Sequence, residues 1–347
     1  MTPWPRLHAS CWQHRDRWLL GAAALALAAS FLNPGLMMER ARFEHVIVLD
    51  VTQSMNVTDA PLDEAPDSPS GGKRVSRLAY AKHALREALP QLPCGSKVGW
   101  AIFTEYRSYL LLAPVEVCAN LSELRATLAQ IGGRMAWSGN SEIAKGVHSG
   151  LGIARLLPGK PSLVFVTDGQ ESPPLNPHYR PAFDDKPGEV PGLLVGVGGL
   201  QPLPIPKTDP QGQPLGFWRA DEVMQTDPRS LGRGASVSGE ALADDRSGAP
   251  APSLGATPGA EHLSALREPY LRLLAGEQGL AYLRLDSKQA LAAALMSSAL
   301  AKPVRVRVDG RAALAGLALC LLLARHAAPR EWRRLKGRSD RALSNPR

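Results

Sequence analysis

The chain has 347 residues, 44% hydrophobic and 21% charged, with four cysteines and a formal net charge of +8. That length allows one to three domains. The composition excludes a disordered chain, and four dispersed cysteines exclude a disulfide-dense scaffold or a CxxC zinc knuckle. The positive charge is unevenly placed: residues 1–42 carry +3 and residues 303–347 carry +8, so residues 43–302 carry −3. Nucleic-acid binding is therefore not expected, because the basic residues lie in two tails and the middle is acidic.

In chain order, residues 1–17 form a basic segment. Residues 18–38, Trp18 to Met38, contain no charged side chain and follow Arg15 and Arg17. A Lys/Arg excess beside an apolar run marks the cytoplasmic side of a membrane span, so 18–38 reads as a transmembrane anchor. The small residues Ala26, Ala28, Ala29 and Ser30 leave a cleaved signal peptide as the alternative. Four apolar, β-rich runs follow: His45–Leu49, Val98–Phe103, Leu163–Thr167 and Leu193–Val197. Continuous apolar runs suit strands buried on both faces. Helical patterns lie between them at Arg77–Leu89, with Ser76 as N-cap, at Asn120–Ile131 and at Ser141–Leu157. The predicted fold class is thus α/β: a doubly wound, mostly parallel Rossmann-like sheet, flanked by N- and C-terminal transmembrane helices.

A hairpin of Val98–Phe103 with Tyr109–Ala113 adds one antiparallel edge strand. Centred near Tyr106, it sets position 94 opposite 118, so Cys94 and Cys118 are a disulfide pair closing its open end; two independent buried thiols are the alternative. Proline-rich loops occupy 59–75 and 170–192, and 226–260 reads as a linker-like insert. A helix–strand–helix pattern over 263–300 completes a domain spanning 43–302. Ala312–Ala324 is wholly apolar and is followed by six basic residues up to Arg338. A second transmembrane helix at 308–324 needs Val308 to join this run and Arg311 to snorkel; a buried core helix is the alternative. Residues 325–347 are then a cytoplasmic basic tail. The expected placement is a bacterial inner membrane, with both termini cytoplasmic and the main domain periplasmic, where a disulfide persists.

In open α/β sheets ligands bind at the carboxyl ends of the strands. HVIVLDVTQS places Asp50, Thr52 and Ser54 there, SLVFVTDG places Asp168, and GNSEIAKGV starts a helix with Ser141. Hydroxyl and carboxylate oxygens are hard donors suited to Mg²⁺, Ca²⁺ or Mn²⁺. Two other readings of these residues stand beside this one. Thr52 and Ser54 could cap a turn while the carboxylates bond backbone amides. Alternatively, Asp50 could be the phosphoryl acceptor of a haloacid-dehalogenase-like phosphatase, against which Thr52 stands where that chemistry needs a second Asp.

The ordered trio of loops resembles the metal-ion-dependent adhesion site of von Willebrand factor A domains, whose loops read D-x-S-x-S, G-G-T-x-I and Asp before Gly. Thr52 and Ser141 depart from the pattern, but each keeps a hydroxyl. The resemblance covers roughly 43–200 and, more weakly, runs to 302. It implies a divalent cation, Mg²⁺ first with Ca²⁺ or Mn²⁺ as alternatives, that binds a partner rather than catalysing, so no enzyme is expected. Thr52, Ser54 and Ser141 would be direct ligands, Asp50 and Asp168 would act through water, and Asp59, Glu142 and Glu171 would frame the partner site. Met55 and His148 read as packing residues.

Two narrower resemblances follow. DVTQSMNVTDAP, SRLAYAKHAL and VGVGGLQPLPIPKTDPQGQPL are similar to the membrane proteins of aerotolerance-type operons, which implies work with a MoxR-type AAA+ ATPase. LPCGSKVGWAIFTEYRSYLLLAPVEVC, RMAWSGNSEIAKG and FVTDGQESPPL resemble the accessory von Willebrand A proteins of methanol-oxidation clusters. That resemblance implies a periplasmic partner, methanol dehydrogenase or another maturation protein, and a role in enzyme assembly or calcium insertion.

Overall fold

The computed structural model describes residues 5–32, 35–61, 74–177, 179–209, 211–226, 240–244, 254 and 259–326. The predicted 327–347 tail, and most of the 59–75 loop and the 226–260 insert, lie outside these residues. Helix α1 (Pro5–Phe31) leads into strand β1 (Gly35–Asp50), and the short strands β2 (Ala60–Pro61) and β3 (Arg74–Val75) precede α2 (Arg77–Ala88). A hairpin of β4 (Lys97–Thr104) and β5 (Arg107–Glu116) is followed by α3 (Leu121–Gln130), α4 (Ile143–Leu156) and β6 (Ser162–Thr167). After β7 (Tyr179–Phe183) and β8 (Gly192–Gly196) comes an excursion with β9 (Leu203–Pro204), β10 (Pro206–Thr208), β11 (Pro214–Phe217) and β12 (Glu240–Asp244). It is closed by β13 (Leu263–Ser264), which pairs with β9. The chain ends with α5 (Glu268–Gln278), β14 (Ala281–Arg284), α6 (Lys288–Leu295), β15 (Ala301–Asp309) and α7 (Arg311–His326).

The main sheet runs β14-β8-β6-β1-β4-β5, with β15 also on β1. Pairing along that order is parallel except at β4–β5, so β5 is the antiparallel edge. The four apolar runs thus become β1, β4, β6 and β8, and β14 extends the sheet beyond them. Strand side chains alternate between faces, and β1 shows the consequence. Ile47 and Leu49 enter one core with Trp100 and Leu85, whereas Val46 and Val48 enter the other with Phe103, Phe165 and Leu271. Helices cover both faces because neither could be left in water.

Helix α2 begins at the expected cap, where the Ser76 hydroxyl accepts from the Ala79 amide at 3.2 Å. Helix α4 presents glycine to the sheet: a Cβ built on Gly146 would lie 2.2 Å from a Phe103 ring carbon. The hairpin carries a register shift between Val98 and Ala101, and Cys94 and Cys118 form a disulfide across its open end.

Ala41–Lys302 forms one compact unit; Met1–Arg40 with Pro303–Arg347 forms another. In the second, α1 and α7 pack through Ala23, Ala26 and Ala318. Trp18, Leu25, Phe31, Leu317, Leu319 and Leu323 are exposed. The expected spans need correction. The 18–38 run is not one helix: α1 ends at Phe31 and residues 35–38 belong to β1, since Pro34 cannot continue a helix. The 308–324 run starts in β15, and α7 has 16 residues, about 24 Å at 1.5 Å per residue. Among the described residues no helix is long and apolar enough to cross a membrane.

His45 is wholly buried, within 2.6 Å of the Ser162 hydroxyl and 3.0 Å of the Leu295 carbonyl. A neutral ring satisfies both, with Nε2–H donating to the carbonyl and Nδ1 accepting from the hydroxyl. Burial pushes its pKa down to about 4. The unfolded chain therefore binds the extra proton first. The contribution of His45 to stability is flat above pH ~6.5, falls by up to about 3 kcal/mol as pH drops towards 4, and levels off below. Chemical denaturation from pH 7 to 4 will show this slope in the difference between wild type and His45→Gln. At the α4 contact, Gly146→Ala must displace the Phe103 ring. It will cost about 1–3 kcal/mol by overpacking, measured by the same denaturation at pH 7.

Candidate metal centre

Asp50 ends β1, and Asp168 directly follows β6, its neighbour in the sheet. Both carboxylates are wholly buried at the carboxyl edge. Asp50 Oδ1 accepts from the Thr52 amide (2.9 Å) and hydroxyl (2.7 Å), and Oδ2 from the Thr167 hydroxyl (2.6 Å). The Thr52 and Ser54 hydroxyl oxygens lie 3.3 Å apart, and Ser54 donates to Asp168 Oδ1 at 3.2 Å. The Gln170 amide adds a second bond to the same oxygen at 3.0 Å. One short 3₁₀ turn, Gln53–Asn56, brings the Thr52 and Ser54 hydroxyls together.

Ser141 arrives from the other side. Its backbone pairs with Ser172 in both directions (2.7 and 2.8 Å), and the next amide, Glu142 N, donates to the Glu105 carbonyl. Its hydroxyl oxygen is buried and, among the described residues, has no hydrogen-bond partner. Thr52, Ser54 and Ser141 line one cleft of about 190 Å³ with Gln53, Gln170 and Ser172. Its far wall, from the excursion and its return, includes Ile205, Trp218, Met224 and Glu261. Trp218 Nε1 donates to the Gln53 side chain, and Lys207 sits 4.4 Å over the Trp218 ring.

These residues fit a divalent cation. The set is all oxygen, and a buried hydroxyl without a partner costs free energy unless something else takes its lone pairs. The electrostatics agree. Burial, followed by the proximity of Asp168, pushes the Asp50 carboxyl up to about 7, so the fold concentrates negative charge that a cation would relieve. Asp50 is a poor nucleophile in this geometry, because it has no exposure and both its oxygens accept hydrogen bonds.

The three acidic residues expected at a partner surface are placed otherwise. Asp59 is buried in an ion pair with Arg77 at 2.6 Å, both side chains at most 2% exposed. Glu171 is buried, accepting from the Tyr270 hydroxyl at 2.5 Å and the Ala144 amide at 3.2 Å. Glu142 pairs with Lys145 at 2.7 Å. Each carboxylate is turned into the fold because burial must be matched by a partner. Met55 is core, and His148 stacks on Phe183 and bonds Asp185, both packing roles. Sequence reasoning missed Thr167 and Arg77. Thr167 immediately precedes Asp168, and Arg77 opens the helix of SRLAYAKHAL, so both were adjacent to quoted motifs.

No family model matches the chain, and no curated protein matches it. Solved structures do. An aerotolerance-related membrane protein from Bacteroides fragilis is 18% identical with a TM-score of 0.43, covering 73% of this chain and 96% of that one. The conserved hypothetical protein BatB from Bacteroides thetaiotaomicron is 16% identical with a TM-score of 0.42, covering 72% and 96%. An uncharacterized membrane-spanning protein from Vibrio fischeri is 15% identical with a TM-score of 0.26, covering 72% and 95%.

Because the Ser141 hydroxyl makes no bond within the fold, Ser141→Ala separates binding from stability. It will leave unfolding free energy within about 0.5 kcal/mol of wild type. Calorimetric titration with Mn²⁺ will show about tenfold weaker binding, the loss of one ligand.

Proposed function

We propose that the chain is a metal-dependent protein-binding module held at a membrane and facing an extracytoplasmic compartment. The observation that carries this reading is the buried oxygen set Asp50, Thr52, Ser54, Ser141 and Asp168, of which Thr52, Ser54 and Ser141 line a cleft and the Ser141 hydroxyl has no hydrogen-bond partner among the described residues. Two carboxylates and three neutral hydroxyls would hold Mg²⁺, or Ca²⁺ or Mn²⁺ in its place. The cation would supply a positive anchor for an acidic group of a partner, and Thr52, Ser54 and Ser141 would orient it.

Two further observations support the placement. The Cys94–Cys118 disulfide belongs to an oxidising compartment. The α1–α7 pair puts alanines inside and Trp, Phe and Leu outside, an exposed apolar face suited to membrane association. On the sequence resemblance, the partner is methanol dehydrogenase or another protein of its maturation, and the role is assembly or calcium insertion. The aerotolerance-type phrases carry a second reading, an envelope component working with a MoxR-type AAA+ ATPase.

Cross-linked capture of the tagged full-length protein from native membranes tests both. It is run with Mg²⁺, with chelator and with Asp50→Ala, and partners are identified by mass spectrometry. The expected outcome is a methanol dehydrogenase subunit retained only with metal and intact Asp50. Retention of an AAA+ ATPase instead favours the second reading. Identical partners in all three conditions would move the interface away from the metal.

A further inference from the structure

Asp168, wholly buried, is paired with a cation. Arg77, wholly buried at the start of α2, donates Nη1 to Asp168 Oδ2 at 2.6 Å. Its Nε and Nη2 clamp Asp59 at 2.6–3.1 Å, and Nη1 and Nη2 also reach the Ser264 hydroxyl and carbonyl. Asp59 in turn accepts from the Gly199 amide at 2.9 Å. The other nearby cation, Arg267, pairs with Glu261 at 3.2 Å, so its charge is already balanced.

Two effects of Arg77 on a cation at this site oppose each other. It orients Asp168, which favours binding, and it places a fixed positive charge beside a ligand carboxylate, which disfavours it. Orientation is shared between Arg77 and other groups. Ser54 and the Gln170 amide hold Oδ1, and the Ser264 hydroxyl holds Oδ2 at 3.1 Å. The charge of Arg77 is in direct contact with Asp168, and charges interact strongly where solvent is excluded. We propose that Arg77 sets the strength of the metal centre. Its guanidinium neutralises Asp168, keeps the chain's own affinity for a divalent cation low, and so makes a partner's carboxylate necessary to complete the charge around the ion. Asp59 tempers this by compensating Arg77 from behind. The inference rests on the metal-centre reading above.

The test is calorimetric titration of the full-length chain with Mn²⁺, comparing wild type with Arg77→Gln, Arg77→Lys and Asp59→Asn. Arg77→Gln is expected to bind at least about tenfold more tightly, whereas Arg77→Lys, which keeps the charge and loses the fork, stays within about threefold of wild type. Equal or weaker binding by Arg77→Gln overturns the proposal. If Arg77→Gln does not fold, the near-isosteric Asp59→Asn decides: it leaves the guanidinium less compensated and weakens Mn²⁺ binding by about three- to tenfold, and unchanged binding overturns the proposal. No binding by wild type or any variant instead sinks the metal-centre reading itself.

Discussion

Two carboxylates buried side by side at the end of adjacent parallel strands are the constraint around which this domain is arranged. Asp50 and Asp168 are wholly buried, and charges of one sign in a solvent-excluded place are costly unless compensated. The fold answers with hydroxyls from Thr52, Thr167 and Ser54 and with the guanidinium of Arg77. Hydroxyls stabilise charge without cancelling it, so Asp50 keeps a raised pKa. Arg77 cancels the charge it touches. The two carboxylates are therefore not equivalent, although each closes a similar β-strand.

The scaffold that presents this edge is built by period-two alternation on β1 and its neighbours. Odd and even residues of β1 feed separate cores, so the strand cannot slip by one without exchanging both. Close approach of α4, allowed by Gly146 over Phe103, sets the height of the loop that precedes it. That loop carries Ser141. A packing detail inside the core thus bears on where the Ser141 hydroxyl stands.

The excursion between β8 and α5 changes the character of the site. Residues such as Ile205, Trp218 and Met224 build a second wall opposite the hydroxyls. Trp218 is tied to the metal loop through Gln53. Both ends of the excursion meet the buried ion network, Gly199 through Asp59 and Ser264 through Arg77. The hydroxyls of Thr52, Ser54 and Ser141 therefore lie in a cleft instead of on a flat face.

Much of this was legible from the residues alone. Buried parallel strands must be apolar on both faces, so four of them stood out as continuous runs, and the D-x-T-x-S and T-D-G loops located Asp50, Thr52, Ser54 and Asp168 at one sheet edge. The hairpin spacing brought Cys94 to Cys118. What the chain could not show by itself was which acidic residues stay in water. Asp59 and Glu171 read as loop charges, yet partners distant in sequence, Tyr270 for Glu171 among them, draw them inside. Local composition also merged the apolar 18–38 run into one helix, whereas pairing with β4 and β15 keeps Gly35–Asp50 a strand. Strand pairing and ion pairing are both long-range, so periodicity could nominate the elements and the ligands, but only the tertiary fold could decide which charges face the cleft and which are spent within it.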